Sequence, residues 1–375
     1  MVKAGSASDG EYSSRYLWTV VLIFTVAATV SIIDRQILNV MIGPVKRDLG
    51  GISDTQVSLI MGFAFSFFYS FLAYPAGWIA DRYNRRNLMV AGIAGWSAMT
   101  VLCGAASQYW QLFLARMGVG VGEATLGPAY TSSLADYFEP AKLPLAMGVV
   151  SAAPFIGQGL ANIGGGPLID YLEATPNFVL PVMGEVYSWQ LVFVIVGLPG
   201  LLVAAAVWAT REPARRGRVR SDSGGATMAE VWAFVRARGA FFALVFTAYL
   251  CLATQGWSLF SWIVEFYVRN HGWSRSQIGV VYGSIAMFVG IIGSIGGGLW
   301  AGRLLRGKVP DATLRIAMYG AIFLLPSAVI LTLLPDPWLG MALLVPVTFC
   351  MAMPAGLIMA TIQAIAPNEL RGQMV

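Results

Sequence analysis

Residues Gly77-Trp78-Ile79-Ala80-Asp81-Arg82-Tyr83-Asn84-Arg85-Arg86 decide the fold of this 375-residue chain, because they set a charged turn between two long apolar runs. The flanking runs, near 56–80 and 88–107, are each as long as the roughly 20 residues a helix needs to cross the hydrocarbon core of a bilayer. A turn of this kind reads as a hinge between two membrane helices.

Composition points the same way. Hydrophobic residues make up 57% of the chain and charged residues only 11%, with a mean hydropathy of +0.68; a soluble domain carries about 25% charged residues. The chain therefore reads as an all-α, polytopic membrane protein. Further apolar runs lie near 17–41, 110–137, 143–170, 189–209, 240–268, 276–302, 313–334 and 338–366, which brings the expected transmembrane helices to ten. The runs are continuous rather than alternating, so they suit helices and not the strands of a barrel. Cys103, Cys251 and Cys350 lie singly inside apolar runs, where a cysteine acts as a small packing residue.

The placement of Lys and Arg orients the chain. With the N-terminus on the cytoplasmic side, most of the 24 Lys and Arg residues fall in cytoplasmic segments. Lys46, Arg47, Arg269 and Arg275 fall outside, and Arg35 and Arg116 lie within spans. Positive charge collects on the inner face, so the pI near 9.1 reflects topology, and no nucleic-acid partner is expected. Residues 1–16 read as a disordered polar tail and 17–210 as a six-helix bundle. Residues 211–239 form a linker whose basic, Gly/Ser-rich start cannot bury a core, followed by a short amphipathic helix at 227–238 on the inner membrane surface. Residues 240–375 form a second bundle. Trp110, Trp189, Trp273 and Trp338 are placed at the membrane interfaces, where tryptophans collect.

The two bundles repeat one another. Ser53-Asp54-Thr55-Gln56-Val57 and Gly62 align with Ser274-Arg275-Ser276-Gln277-Ile278 and Gly283, and the same register sets Gly77, Arg82 and Arg85 against Gly298, Arg303 and Arg306. Asp81 is answered by Gly302, so the charged turn is complete only in the first half. The pattern Gly77-x-x-x-Asp81-Arg82-x-x-Arg85-Arg86 resembles the loop between helices 2 and 3 of major facilitator superfamily transporters, with Asn84 where the family has Gly. That resemblance implies two pseudo-symmetric helical bundles with a substrate site between them at mid-membrane, opened alternately to each side. It also implies twelve helices, so the second bundle reads as incomplete, lacking helices 11 and 12. In the family this loop is a conformational latch, a role carried here by Gly77, Asp81, Arg82, Arg85 and Arg86.

Charge inside the membrane costs at least about 2.5 kcal/mol per residue and marks function by default. The first span offers Asp34 and Arg35. The fourth offers Arg116 and Glu123, two turns apart on one face. The segments Ser31-Ile32-Ile33-Asp34-Arg35-Gln36 and Arg116-Met117-Gly118-Val119-Gly120-Val121-Gly122-Glu123 resemble the Spinster branch of the superfamily, whose eukaryotic members export sphingoid phosphates or lysophospholipids. The four charges admit two readings. In one they are structural salt bridges between the first and fourth spans. In the other Arg35 and Arg116 anchor an anionic head group while Asp34 or Glu123 carries a proton, so that substrate and proton compete for one arginine.

Other polar positions complete the picture. Gln158 and Asn162, on one face of a Gly/Pro-rich fifth span that resembles the antiporter signature of the superfamily, are candidates to line the path. Gln255 and Ser258 give the seventh span a polar edge and are a second lining pair. Met351, Met353 and Met359 offer a soft surface, and the second half is otherwise poor in membrane charge, Glu265 excepted. Rival functions lack their residues: there is no ring of like charges for a channel, no nucleophile-base pair, metal cluster or H-E-x-x-H for an enzyme, and no phosphate-binding G-x-x-x-x-G-K-[ST] for a pump. No cofactor is expected. The expected function is secondary active transport of a small amphipathic anion, coupled to protons, within membrane lipid, with a polyspecific drug or organic anion carrier as the alternative.

Overall fold

Helix is the only structure open to these apolar runs, since in lipid each backbone N–H and C=O must be satisfied within its own segment. The computed structural model describes residues 12–138, 143–174, 178–180, 184–215, 228–307, 309 and 311–354. In chain order its elements are α1 (Ser14–Gln36), a 3₁₀ turn (Ile37–Val40), α2 (Ile42–Asp48), α3 (Asp54–Ser58), a π turn (Leu59–Phe63), α4 (Ala64–Arg82), α5 (Arg85–Cys103), α6 (Tyr109–Glu123), α7 (Leu126–Tyr137), α8 (Leu143–Val150) and α9 (Ala153–Glu173). A small antiparallel pair, β1 (Phe178–Leu180) and β2 (Gly184–Val186), precedes α10 (Ser188–Trp208). Then follow α11 (Met228–Ala237), α12 (Gly239–His271), α13 (Arg275–Ser284), a second π turn (Ile285–Val289), α14 (Gly290–Arg306), α15 (Ala312–Leu333) and α16 (Pro337–Ala352).

Among the described residues, seven stretches are each long and apolar enough to cross a membrane, and α16 is a shorter apolar helix. The two expected spans outside these sets have identifiable causes. The 88–107 run becomes α5, which opens on Arg85 and Arg86. The 110–137 run carries Arg116 and Glu123 and is broken at Ala124–Thr125 between α6 and α7. The fifth run is also divided, because Pro154 lacks an N–H and so starts α9 instead of continuing α8. At the N-terminus α1 begins at Ser14, inside the stretch expected to be tail, with the Ser13 hydroxyl accepting the Tyr16 N–H at 3.2 Å. Met359 lies outside the described residues.

The chain forms two compact units: Met1–Arg216 with Gly272–Gly283, and Gly217–His271 with Ser284–Val375. Glycine faces hold the first unit together. A Cβ on Gly118 would meet Met99 Sδ at 2.7 Å, and one on Gly122 would meet Gly92 O at 2.8 Å, so these two glycines let α6 lie directly on α5. Gly120, between them on the other side of α6, faces α4, where an added Cβ would come within 2.5 Å of Phe65 O. Gly197 and Gly200 seat α10 on Ser97 and Val101 of α5 in the same manner, and Gly157 seats α9 on Ile32 of α1. Small residues in membrane helices permit such close approach, and van der Waals contact is the main gain.

At one end of this unit, Glu173 accepts from Arg47 at 2.9 Å and from Arg275 at 3.4 Å, and Asp170 accepts the Ser276 backbone N–H at 2.6 Å. Asp48 and Glu173 together push the Arg47 guanidinium above its ordinary range. Of the four tryptophans expected at the membrane interfaces, Trp189 is wholly buried against protein with its ring edge-on to Phe193, and Trp273 is buried too, while Trp110 and Trp338 are exposed. Amphipathicity could not separate these cases, because indole suits a packed interior as well as an interface.

In the second unit α16 is packed against α14 and α15. Gly293 and Gly297 of α14 admit the backbone of Phe349 and Met353, and Gly320 of α15 admits Cys350 O. Ala301, Ile316 and Met353 form the buried cluster where these helices meet. Glu265, the charge expected in the seventh span, is buried and paired with Arg269 one turn away at 2.7 Å.

Candidate functional site

Asp34 and Arg35 occupy the last turn of α1, and Arg116 and Glu123 lie on one face of α6, and their long side chains reach across to bring the four charges together. Glu123 is buried and its Oε2 accepts from Arg35 Nη2 at 2.6 Å and from the Ser31 hydroxyl at 2.7 Å. Arg116 is fully buried, yet it donates to backbone carbonyls, Nη1 to Asp34 O at 3.2 Å and Nη2 to Arg35 O at 3.5 Å. Asp34, also fully buried, takes a hydrogen bond on Oδ2 from the Thr100 hydroxyl of α5 at 3.0 Å. One ion pair is thus made, and the second arginine and second carboxylate are joined through backbone rather than to each other.

Aromatic rings close the site from α4. The Arg35 guanidinium carbon stands 4.2 Å from the Phe65 ring centre and 5.3 Å from that of Tyr69, and Arg116 lies 5.8 Å from Phe65. Asp34 Oδ1, Glu123 Oε1, Arg35 Nε and Arg116 Nε are buried without a hydrogen-bond partner among the described residues. Such atoms are costly in a dry interior. Two cations and two carboxylates thus meet here with donor and acceptor atoms that the fold leaves unused.

The other expected site residues lie elsewhere. Gln158 and Asn162 are buried on α9, Asn162 donating to Gln158 O at 2.8 Å, with Gln158 Nε2 and Asn162 Oδ1 unpartnered. They sit where α9 meets α13, since a Cβ on Gly279 would come within 2.4 Å of Asn162 O. Gln255 and Ser258 line a cavity of about 270 Å³ in the second unit with Trp262, Leu324, Val347 and Met351, and Gln255 donates to Leu324 O at 3.1 Å.

The charged turn is tied down within the first unit. Arg85 is 1% exposed, and Nε donates to Glu212 at 2.8 Å, Nη1 to Asp136 and to Ser132 O, and Nη2 to Pro213 O at 3.1 Å. The Arg86 backbone N–H donates to Glu212 at 2.9 Å and its side chain to Thr210 O at 3.2 Å. Arg82 stacks on Trp78 at 4.1 Å, and Gly77 lies 3.9 Å from the Pro128 side chain were it given a Cβ. The side chain of Asp81 lies outside the described residues.

Sequence reasoning did not single out Ser31, Thr100, Phe65 or Tyr69 at the first cluster, nor Asp136 and Glu212 at the second. The one sequence signal was the spacing of Phe65 and Tyr69, four apart and so on one helix face; the remainder are ordinary residue types whose role comes from what they touch.

Comparison with known proteins bears on this arrangement. Residues 24–375 match the Major Facilitator Superfamily. An MFS-type efflux pump of Mycolicibacterium smegmatis is 29% identical over 336 residues, covering 88% of this chain and 74% of the pump. Protein spinster homolog 1 of Bos taurus is 31% identical over 263 residues, covering 65% of this chain and 47% of that protein. Among solved structures, a bacterial homolog of the human lysosomal transporter Spinster, in an inward-facing and occupied conformation, superposes with a TM-score of 0.80 at 28% identity, covering 97% of this chain and 78% of that one. A match running through nearly all of both units makes this chain a multi-pass membrane transporter of the Major Facilitator Superfamily, similar in structure to a bacterial Spinster homolog.

Proposed function

We propose that this transporter carries a small amphipathic anion in exchange for, or together with, protons, with Arg35 and Arg116 as anchors for the anionic group and Asp34 and Glu123 as the proton-carrying pair. The observation that carries this reading is the Arg35–Glu123 pair at 2.6 Å with its second carboxylate oxygen unpartnered and the Arg116 guanidinium given only to carbonyls. An anion arriving at Arg35 competes with Glu123 for the same N–H groups, and a proton on Glu123 frees them; that competition is a coupling free energy between two ligands. The resemblance of residues 31–36 and 116–123 to the Spinster branch supports a lysophospholipid or sphingoid phosphate as the cargo.

The chain sits in this reading in a bacterial inner membrane with its N-terminus in the cytoplasm, as its Lys and Arg distribution favours. The turn from Gly77 to Arg86 acts as a latch on one of the alternating states, supported by the anchoring of Arg85 and Arg86 to Glu212 and Thr210. Gln158, Asn162, Gln255 and Ser258 line the path.

The test is flux in proteoliposomes of a fluorescent lysophospholipid, with and without an imposed pH gradient, wild type against Glu123→Gln and Asp34→Asn. Gradient-dependent movement lost in the variants supports the reading, and equal gradient-driven movement in all three overturns it. A second reading, polyspecific efflux of drugs, is favoured by the efflux pump of Mycolicibacterium smegmatis; movement of a cationic dye with none of the lysophospholipid selects it.

A further inference from the structure

We propose that Phe65, seconded by Tyr69, is a positioning residue of this site: its ring is a counter-charge that does not titrate, and it holds the Arg35 guanidinium in place when Glu123 no longer does. The inference rests on the reading of Arg35 as an anion anchor and adds the element that keeps the anchor fixed.

The geometry is specific to Phe65. It lies within cation–π reach of both arginines, at 4.2 Å from Arg35 and 5.8 Å from Arg116. Its ring is stacked on Tyr69 with centres 5.4 Å apart, so Arg35 covers a continuous aromatic surface. Other aromatics of this segment, Phe63, Phe67, Phe71 and Tyr74, are exposed by half or more, whereas Phe65 is 2% exposed. Two features of the fold turn it inward. The π turn Leu59–Phe63 inserts an extra residue just before it, which rotates the following helix face. Gly120 then lets the α4 backbone touch α6 at Phe65 itself, fixing the height of the ring against the arginines.

The chemistry follows from what each partner can do. Glu123 neutralises Arg35 only while it is ionised, and Asp34, the other carboxylate facing the cluster, is engaged with Thr100. Once Glu123 takes a proton, Arg35, 19% exposed at its side chain, loses its ion-pair partner and is left beside Arg116, a like charge, with Asp34 held by Thr100 rather than by Arg35. A part-buried cation without its partner is costly. The negative face of an aromatic ring lowers the cost at every pH and suits a planar, weakly hydrated guanidinium better than an ammonium. An anionic head group then meets a cation already in position, which lowers the ordering cost of binding.

Stepwise fluorination of Phe65 tests this, since it drains the ring of negative charge at its face while keeping shape and apolarity. Mono-, di- and trifluoro-phenylalanine are introduced at position 65 of the full chain in nanodiscs. Two quantities are read: the melting temperature, in the Arg35 and Arg35→Gln backgrounds, and the Kd for a fluorescent lysophospholipid with a phosphate head. We expect a graded loss with each fluorine, reaching about tenfold in Kd, and a graded fall in melting temperature that vanishes in the Arg35→Gln background. Phe65→Trp retains binding, and Phe65→Leu does not. A flat series in both readouts, or the same slope with and without Arg35, overturns the proposal. If the unmodified protein fails to bind the probe, the substrate reading falls while the melting series still decides the role of Phe65.

Discussion

Two arginines of the first unit, Arg85 and Arg35, are both held by carboxylates from distant parts of the chain, but they are held in opposite ways. Arg85 has all its nitrogens engaged, by Glu212, Asp136, Ser132 and Pro213 O, and almost none of it is exposed. Around it the structure is fastened further: Tyr137 donates to Arg211 O, the Arg211 N–H donates to Tyr16, and Arg215 donates to Ala80 O and Tyr83 O. Arg35 makes one ion pair, lays its face on a ring and leaves Nε unused, and its partner Glu123 leaves an oxygen unused. The difference teaches how to tell a fastening from a site. A saturated buried cation cannot exchange partners without breaking structure, whereas an unsaturated pair keeps a spare donor on the cation and a spare acceptor on the carboxylate at the expense of stability.

The largest expected effect is at the saturated cluster. Arg85→Gln strands the Asp136 and Glu212 carboxylates together, and removal of one partner from a buried pair costs about 3–5 kcal/mol, which thermal unfolding in detergent will show as a lowered midpoint. Arg35→Gln is expected to lose clearly less; an equal loss would break the comparison. Next comes Gly120→Ala, which drives a methyl into Phe65 O and costs about 1–3 kcal/mol as overpacking. Gly95→Ala on α5, where an added Cβ meets nothing within 4 Å, is its control and should be neutral or stabilise by about 0.5–1 kcal/mol. If both glycines respond alike, the close approach of α4 and α6 is not what sets the Phe65–Arg35 geometry.

Tyr137→Phe removes one hydrogen bond from the fastening, to Arg211 O, and should cost about 1 kcal/mol in the same unfolding measurement, with transport retained. Glu123→Gln leaves Arg35 without its counter-charge, and it should lower the unfolding midpoint by clearly less than Arg85→Gln, because Arg35 is part-exposed at 19% and keeps its stack on Phe65. It should nevertheless abolish gradient-driven flux in proteoliposomes. A variant that is stable and inactive at Glu123, beside one that is unstable at Arg85, would draw the distinction most sharply; a Glu123→Gln protein that unfolds as readily as Arg85→Gln would make both clusters structural.

Much of this was written in the sequence. Apolar runs of membrane length, the charged turn at 77–86 and the repeat of 53–62 at 274–283 determine a helical membrane fold, because lipid leaves the backbone no other way to satisfy itself. The cost of charge in hydrocarbon likewise picks out Asp34, Arg35, Arg116 and Glu123 without any coordinates. Partner choice was decided only by the tertiary structure. Helical periodicity sets residues on a face but does not say which face meets which. Arg85 finds Asp136 and Glu212 at 51 and 127 residues' remove. Arg116, two turns from Glu123, gives its N–H groups to carbonyls of α1, while Arg35 takes the carboxylate. Phe65 meets the arginines where α4, just after a π turn, lies against a glycine of α6 that leaves room for its backbone. These contacts depend on helix approach distances set by small residues on several helices at once, and that is information no single stretch of sequence contains.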